Sequence, residues 1–150
     1  MYFIDANIFI RVLTQDDPGR SSQALAFLER ISDGQISGIM TESVILEIIQ
    51  VLGSKSRYAL DHAEIRERLV PLLLIPHLQV ERREVQLAAI DLFGTSRLDY
   101  VDCLAISYAR LFDLEGIVSF DSGLDRHAPG LRIRPEDVGI VSQPEQESDE

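Results

Sequence analysis

Short apolar runs that stop at an acidic residue constrain the fold more than any other feature of this sequence. Residues 2–4 form one such run before Asp5, and residues 117–120 form another before Asp121. Between these runs lie longer segments in which apolar residues recur every three or four positions, as in amphipathic helices. Strands that alternate with helices predict an α/β fold with a mostly parallel central sheet, for which the sequence offers four to five strands.

The same patterns give the order of the elements. Asp61 and Glu64 form a capping box at the start of one helix, and Pro71 within that helix predicts a kink or an early end. Ser21 or Ser22 is expected to cap the second helix, and Gly94 to close the fifth. Strands are predicted at residues 2–4, 36–40, 78–80, 117–120 and 131–133, and helices at 7–13, 22–33, 41–52, 61–75, 82–93 and 99–112.

Length and charge indicate one domain with an acidic end. The chain has 150 residues and a net charge of −11, and 45% of its residues are hydrophobic, which is enough for one core. We expect the domain to span residues 1–141, and residues 142–150, with four acids and no base, to be a disordered tail. A negative balance argues against non-specific nucleic-acid binding and permits carboxylate clusters that hold divalent cations.

The single cysteine and the first residues bear on the compartment. Cys103 lies in an apolar run, so we interpret it as a core residue, and one cysteine excludes a disulfide within the chain. The first residues have no basic segment before Asp5, and no apolar run approaches the ~20 residues that a membrane span needs. These observations favour a cytoplasmic protein without membrane contact.

Two acids follow directly after predicted strands. Asp5 follows the first strand and Asp121 the fourth. In an open α/β sheet, ligands bind outside the carboxyl ends of the strands, so both carboxylates fall where an active site is expected. Each of them could instead be a turn residue or the N-cap of the next helix.

Two further acids lie on predicted helices. Glu47 stands in the apolar stretch 44–52, where it is either a carboxylate that a ligand must satisfy or part of an exposed stripe with Ser43 and Gln50. Asp102 lies three residues after Asp99, and the two acids could equally form a capping pair. Carboxylates that converge repel one another, and a hard cation such as Mg2+ or Mn2+ relieves that repulsion. A cation held in this way can activate water against a phosphodiester.

Four segments resemble the PIN-domain proteins of the VapC toxin group. The resemblance covers roughly residues 2–135 and depends on residues 3–7, 41–47, 99–105 and 118–121, in the order and spacing of that family. Residues 11–18 also resemble many members. The resemblance implies a parallel sheet between helices, an endoribonuclease that depends on Mg2+ or Mn2+, a homodimer, and inhibition by a small VapB-type antitoxin. It matches four positions of this chain to the acidic metal-binding and catalytic positions: Asp5, Glu47, Asp102 and Asp121.

Three further positions match supporting residues of that family. Asn7 corresponds to a polar residue that supports the first acid, and Asp99 and Asp125 fall where members often carry polar or acidic residues behind the metal ligands. The chain departs from the pattern at Cys103, where alanine is usual, and in its acidic tail. The tail leaves open how the carboxyl end behaves near RNA.

Two alternatives stay open from the sequence. A phosphatase of the haloacid-dehalogenase type also begins with a strand and an Asp, but it needs a second Asp where this chain has Asn7, and it needs a lysine where this chain offers only Lys55. A catalytically inactive PIN module that binds partners is the other alternative, and the four intact acids argue against it. We assign no metal or catalytic role to His62, His77 or His127.

Overall fold

Strands and helices alternate through the part of the chain that the structure describes. The structure is a computed structural model that describes residues 1–139, so the predicted boundary at 141 and the tail 142–150 lie outside it. The strands are β1 (Tyr2–Phe3), β2 (Gly38–Met40), β3 (Leu78–Val80), β4 (Ile117–Val118) and β5 (Arg132–Ile133). The helices are α1 (Ala6–Thr14), α2 (Pro18–Ser32), α3 (Glu42–Gly53), α4 (His62–Leu73), α5 (Arg83–Thr95) and α6 (Tyr100–Leu111), with 3-10 turns at Ser122–Arg126 and Pro135–Asp137.

All strand pairs are parallel, which confirms the α/β class. β2 lies between β1 and β3, with Tyr2 opposite Gly38 and Met40 opposite Val80. Among the described residues, 1–139, β4 pairs with β5 alone. Within residues 1–139 the five strands therefore form hydrogen-bonded groups of three and two, instead of the single sheet of four to five strands that the sequence predicts. The strands are only two or three residues long, so each offers few backbone groups with which to join its neighbours.

Two helix ends differ from the prediction for local reasons. α2 begins at Pro18, before Ser21, because the Asp17 carboxylate accepts a hydrogen bond from the Arg20 backbone N–H and proline fits the first helical position. α5 continues through Gly94 to Thr95. A Cβ at Gly94 would lie 2.8 Å from the Cβ of Arg66, so this glycine allows α4 and α5 to pack closely and does not end the helix.

The fourth helix follows its prediction closely. Asp61 and Glu64 form both hydrogen bonds of the capping box. Pro71 lies inside the last turn, and the helix ends two residues later at Leu73. Proline removes a backbone donor and clashes with the preceding turn, so Pro71 weakens the last turn of this helix.

One hydrophobic core joins the three-stranded sheet to the helices. Ile4, Met40 and Leu78 contribute from the strands or their ends, and Ile45 and Ile90 from α3 and α5. Cys103 is fully buried, as predicted, and it helps to anchor α6 in that core. Every helix within residues 1–139 is too short or too polar to span a bilayer.

Apolar side chains are exposed on β1 and along β4. Tyr2 and Phe3 are 59% and 62% exposed, and Val118 and Phe120 are 56% and 83% exposed. The core therefore covers β2 and β3 better than it covers the two strands that precede Asp5 and Asp121.

Candidate metal centre

Asp5 lies two residues beyond the end of β1, at the start of α1. It is the N-cap of α1, and its Oδ2 accepts a hydrogen bond from the backbone N–H of Asn7 at 3.4 Å. The contact that Asn7 makes with Asp5 thus comes from its backbone. The Asp5 side chain is exposed, so its remaining oxygen positions can accept a ligand.

Asp121 stands after the fourth strand in the same way as Asp5 stands after the first. Its Oδ1 accepts a hydrogen bond from the Gly123 N–H at 2.7 Å. Behind it, Asp125 forms a two-pronged ion pair with Arg132, with N–O distances of 2.9 and 2.8 Å. The same guanidinium donates to the Ser119 carbonyl at 3.4 Å, so it ties the end of β4 to the turn that holds Asp121. Asp125 thus stabilises the surroundings of Asp121 through Arg132.

Asp99 and Asp102 form the capping pair that the sequence allowed. Asp99 is the N-cap of α6 and accepts from the Asp102 backbone N–H at 2.9 Å. Asp102 is half-buried, and its pKa is raised above the ordinary value by burial first, then by the negative charges of Asp99 and Asp121. Asp102 and Asp121 therefore lie within each other's electric field, although 19 positions separate them in the chain.

Glu47 lies on the exposed face of α3. Ser43 and Gln50 are exposed beside it, while Val44, Ile48 and their neighbours are buried. Of the two possibilities, the exposed stripe is the one observed. Glu47 is therefore not a buried carboxylate that needs a ligand. Its assignment as a metal-binding residue depends on the resemblance of residues 41–47 to the PIN family.

The four candidate acids share one electrostatic property. None of them forms an ion pair within residues 1–139, and residues 140–150 contain no Lys, Arg or His that could supply one. Several other acids of the chain do pair with arginine, among them Asp16, Asp91 and Asp125. A set of carboxylate oxygens without cationic partners fits the donor chemistry of a hard divalent cation.

The positions of these acids relative to one another decide whether they can share a metal ion. In residues 1–139, no three Asp, Glu, His or Cys side chains are arranged so that they could hold one metal ion. Like charges repel, so carboxylates without a cation gain nothing from close approach. The convergence of all four acids on one ion thus stays a prediction.

A polar network around the buried Gln86 was not predicted from the sequence. Gln86 is fully buried; its Nε2 donates to Glu42 Oε2 at 2.8 Å, and its Oε1 accepts from the Tyr100 hydroxyl. The Tyr108 hydroxyl donates to the same Glu42 oxygen at 3.1 Å. Burial raises the pKa of Tyr100 far above its usual range, so its hydroxyl stays protonated as a donor. A glutamine on the face of α5 that Val85 and Ala89 also occupy was the signal that could have revealed this network.

One histidine has a structural role that fits the sequence interpretation. The His62 ring stacks on Phe93 with 3.8 Å between centroids. Its Nδ1 lies 3.1 Å from the Phe93 carbonyl oxygen and 3.0 Å from that of Ser96, and two carbonyl acceptors require a proton on this nitrogen. His62 thus joins the start of α4 to the end of α5.

Comparison with protein families gives a single assignment. The PIN-domain family model matches residues 2–129, which is most of the chain and includes all four candidate acids. A comparison with curated proteins gives no match. The match favours the PIN resemblance over the haloacid-dehalogenase alternative. The chain therefore belongs to the PIN-domain family, whose members are typically metal-dependent nucleases that act on RNA.

Proposed function

We propose that this PIN domain is a Mg2+- or Mn2+-dependent endoribonuclease, and that it is the toxin of a type II toxin–antitoxin pair of the VapBC kind. The proposal rests on four acids that form no ion pair within residues 1–139, Asp5, Glu47, Asp102 and Asp121, in a chain that matches the PIN-domain family over residues 2–129. Their correspondence to the acidic positions of that family comes from the sequence resemblance. An inactive PIN module would have no need to keep all four.

Asp5, Asp102 and Asp121 would hold the metal, and Glu47 would reach it partly through water, since Mg2+ keeps several of its waters. A bound divalent cation would supply an activated water and stabilise the charge that develops on the phosphate. The other residues fix these carboxylates in place. Asp99 caps the helix that carries Asp102, and the Asp125–Arg132 pair holds the turn that carries Asp121.

The residues support hydrolysis without a covalent enzyme intermediate. A nucleophilic side chain needs a base within hydrogen-bond reach. Cys103 is buried and burial raises the pKa of its thiol to about 11, so it stays protonated and inaccessible. Water is therefore the proposed nucleophile.

Purified protein tests the enzyme directly. We expect single-stranded RNA to be cleaved with Mn2+ and left intact with EDTA. Asp5→Asn should abolish cleavage, whereas Asp33→Asn, which changes an exposed acid at the end of α2, should leave it unchanged. Full cleavage by Asp5→Asn with metal present would refute the assignment of the site.

The proposed partners are a second copy of the chain and a small VapB-type antitoxin. A cationic side chain of the antitoxin could bind the unpaired acids in place of the metal. Ile8, Leu13 and Val51 are half-buried and pack against the core, so a partner could cover only their exposed parts. Light scattering should give the mass of a dimer at micromolar concentration, and a monodisperse monomer would contradict this part of the proposal.

The domain limits are proposed from composition. Residues 1–141 would form the domain and residues 142–150 a dispensable acidic tail, which lies outside the described residues. The family match ends at residue 129, which supports a boundary before the tail. Truncation after Val141 should leave the melting temperature unchanged, and a large loss of stability would show that the tail docks on the domain.

A further inference from the structure

An arginine covers two stacked aromatic rings just beyond β3. The Arg82 guanidinium carbon lies 5.4 Å from the centroid of the Phe112 ring and 5.7 Å from that of Tyr108. The two rings stack with 5.8 Å between their centroids. Arg82 is exposed, Phe112 is 48% exposed, and Arg82 forms no ion pair with any residue in 1–139. We call these three side chains the Arg82 platform.

A cavity of about 410 Å3 opens beside the Arg82 platform. Arg83 also lines it; one terminal nitrogen of that guanidinium donates to the Leu78 carbonyl, while its Nε is buried and without a hydrogen-bond partner in residues 1–139. Two cationic side chains thus border the cavity against one acid, Glu84. The full lining consists of Val80, Arg82, Arg83, Glu84, Val85 and Phe112.

The backbone offers no reason for an arginine at this position. Arg82 has φ 45° and ψ 51°, a left-handed conformation that glycine and asparagine adopt at lower cost. Its side chain does not cap α5 either. Within residues 1–139 the guanidinium thus forms no cap and no ion pair, and its contact is with the two rings.

The platform is connected to the candidate metal centre through α6. Tyr108 lies six residues after Asp102 on that helix, which corresponds to about 9 Å along the axis. The carboxyl end of β3 is two strands from that of β1, or about 10 Å at ordinary strand spacing. A nucleic acid strand bound at the acids could thus reach the platform within a few nucleotides.

We propose that the Arg82 platform binds a nucleotide of single-stranded RNA that flanks the one at the acidic centre. The guanidinium would contact a phosphate, and a base would stack against the exposed part of the Phe112 ring. In a chain with a net charge of −11, an exposed arginine without an ion pair in residues 1–139 is a group that can attract a phosphate. The inference rests on the proposed function, since it takes RNA as the substrate.

The slope of RNA affinity against salt concentration tests the phosphate contact. Fluorescence anisotropy would measure the binding of a labelled 12-nucleotide single-stranded RNA in EDTA, at several salt concentrations. Arg82→Gln should reduce the slope of log K against log salt by about 0.7, the contribution of one phosphate on a single strand. Arg30→Gln, on an exposed arginine of α2 without an ion pair in the described residues, should keep the wild-type slope.

Two further variants separate a binding role from a structural one. Arg82→Gly suits the left-handed backbone, so it should keep the melting temperature and still show the reduced slope. Phe112→Ala should weaken binding by at least about fivefold without a change in slope, because it removes stacking and leaves the charge. Wild-type affinity and slope in Arg82→Gly would overturn the proposal and leave the arginine as a cover for the rings.

The same samples keep the two proposals apart. Cleavage by the wild type with Mn2+ tests the nuclease, and the EDTA binding series tests the platform. If the wild type cleaves RNA and the Arg82 variants bind it as the wild type does, only the platform is wrong. If it fails to cleave but the slope changes, the platform stands and the nuclease assignment falls.

Discussion

Two acids that each follow a strand have opposite surroundings in this molecule. Glu42, beyond β2, is half-buried and accepts hydrogen bonds from Gln86 and Tyr108. Asp5, beyond β1, is exposed, and within residues 1–139 it accepts one backbone N–H, at 3.4 Å. Their places relative to the sheet are alike, so the partners distinguish them. The side chains satisfy Glu42 within the fold, whereas Asp5 keeps its oxygen positions available for a ligand.

The sharpest test of this contrast is catalytic. We expect Asp102→Asn to reduce metal-dependent RNA cleavage by more than about 100-fold, because loss of a metal ligand should exceed the 10- to 100-fold cost of losing a supporting residue. Glu42→Gln should leave cleavage close to that of the wild type. Initial rates with Mn2+, measured on folded protein, provide the comparison. Equal losses in the two variants would show that hydrogen-bond partners do not separate the two kinds of acid.

A metal ion should stabilise the fold only through the unpaired acids. At a Mn2+ concentration of about 100 times its Kd, binding to the folded state contributes about 2.7 kcal/mol, or a rise in melting temperature of about 5–10 °C for a chain of this size. The rise should disappear on addition of EDTA and in Asp102→Asn. The wild-type rise in Asp102→Asn would place the metal elsewhere.

The hydrogen-bond network around Glu42 should contribute to the stability of the fold. Gln86→Leu leaves the buried Tyr100 hydroxyl without its acceptor, so we expect the free energy of unfolding in urea to fall by about 1–3 kcal/mol. Gln23→Leu, on the exposed face of α2, is the matched control and should change stability by less than about 0.5 kcal/mol. If the two variants were equally stable, the buried network would not contribute to the fold.

The raised pKa of Asp102 should make the metal-free protein less stable as pH rises. Burial and its acidic neighbours raise its folded-state pKa, so its contribution to stability is present below its ordinary pKa and is lost as pH rises through the folded value. At neutral pH without metal, Asp102→Asn should therefore melt at a higher temperature than the wild type. The difference should vanish at acidic pH. A lower melting temperature for the variant at neutral pH would contradict this origin of the shift.

The lowered pKa of Asp16 should make the protein less stable as pH falls. We expect this change in stability to be the smallest of those predicted. Hydrogen bonds from Tyr58 and then Arg11 lower its pKa from 3.8 to about 2. Its stabilising contribution is thus present above 3.8 and is lost as pH falls toward 2. Melting curves between these limits should show a weaker pH dependence for Asp16→Asn than for the wild type. The group is exposed, so water and salt screen the effect.

The sequence predicted the parts of the site that local order determines. Asp5 and Asp121 follow their strands within one and two intervening residues, so the local order of the chain determines their places. The side of α3 on which Glu47 lies could not be determined, because apolar residues surround it in the sequence. The hydrogen bond between Gln86 and Glu42 joins residues 44 positions apart, so no local pattern revealed it.

The features of the fold that local sequence patterns determine were also predicted. The capping box at Asp61, the strand at Leu78–Val80 and the buried Cys103 are confirmed. The start of α2 was wrong because Asp17 and Pro18 resemble a turn and a helix start equally well. The division of the strands into two hydrogen-bonded groups depends on which strands pair, and no local sequence pattern specifies that pairing.

The single cysteine provides a built-in monitor of unfolding. Cys103 is the only thiol of the chain, is fully buried, and lies next to Asp102 on α6. An alkylating reagent can reach it only when that helix leaves the core. The labelling rate therefore measures how often α6, which carries the candidate metal ligand Asp102, leaves the core. A cysteine introduced on the surface can be labelled in the native protein without competition from Cys103.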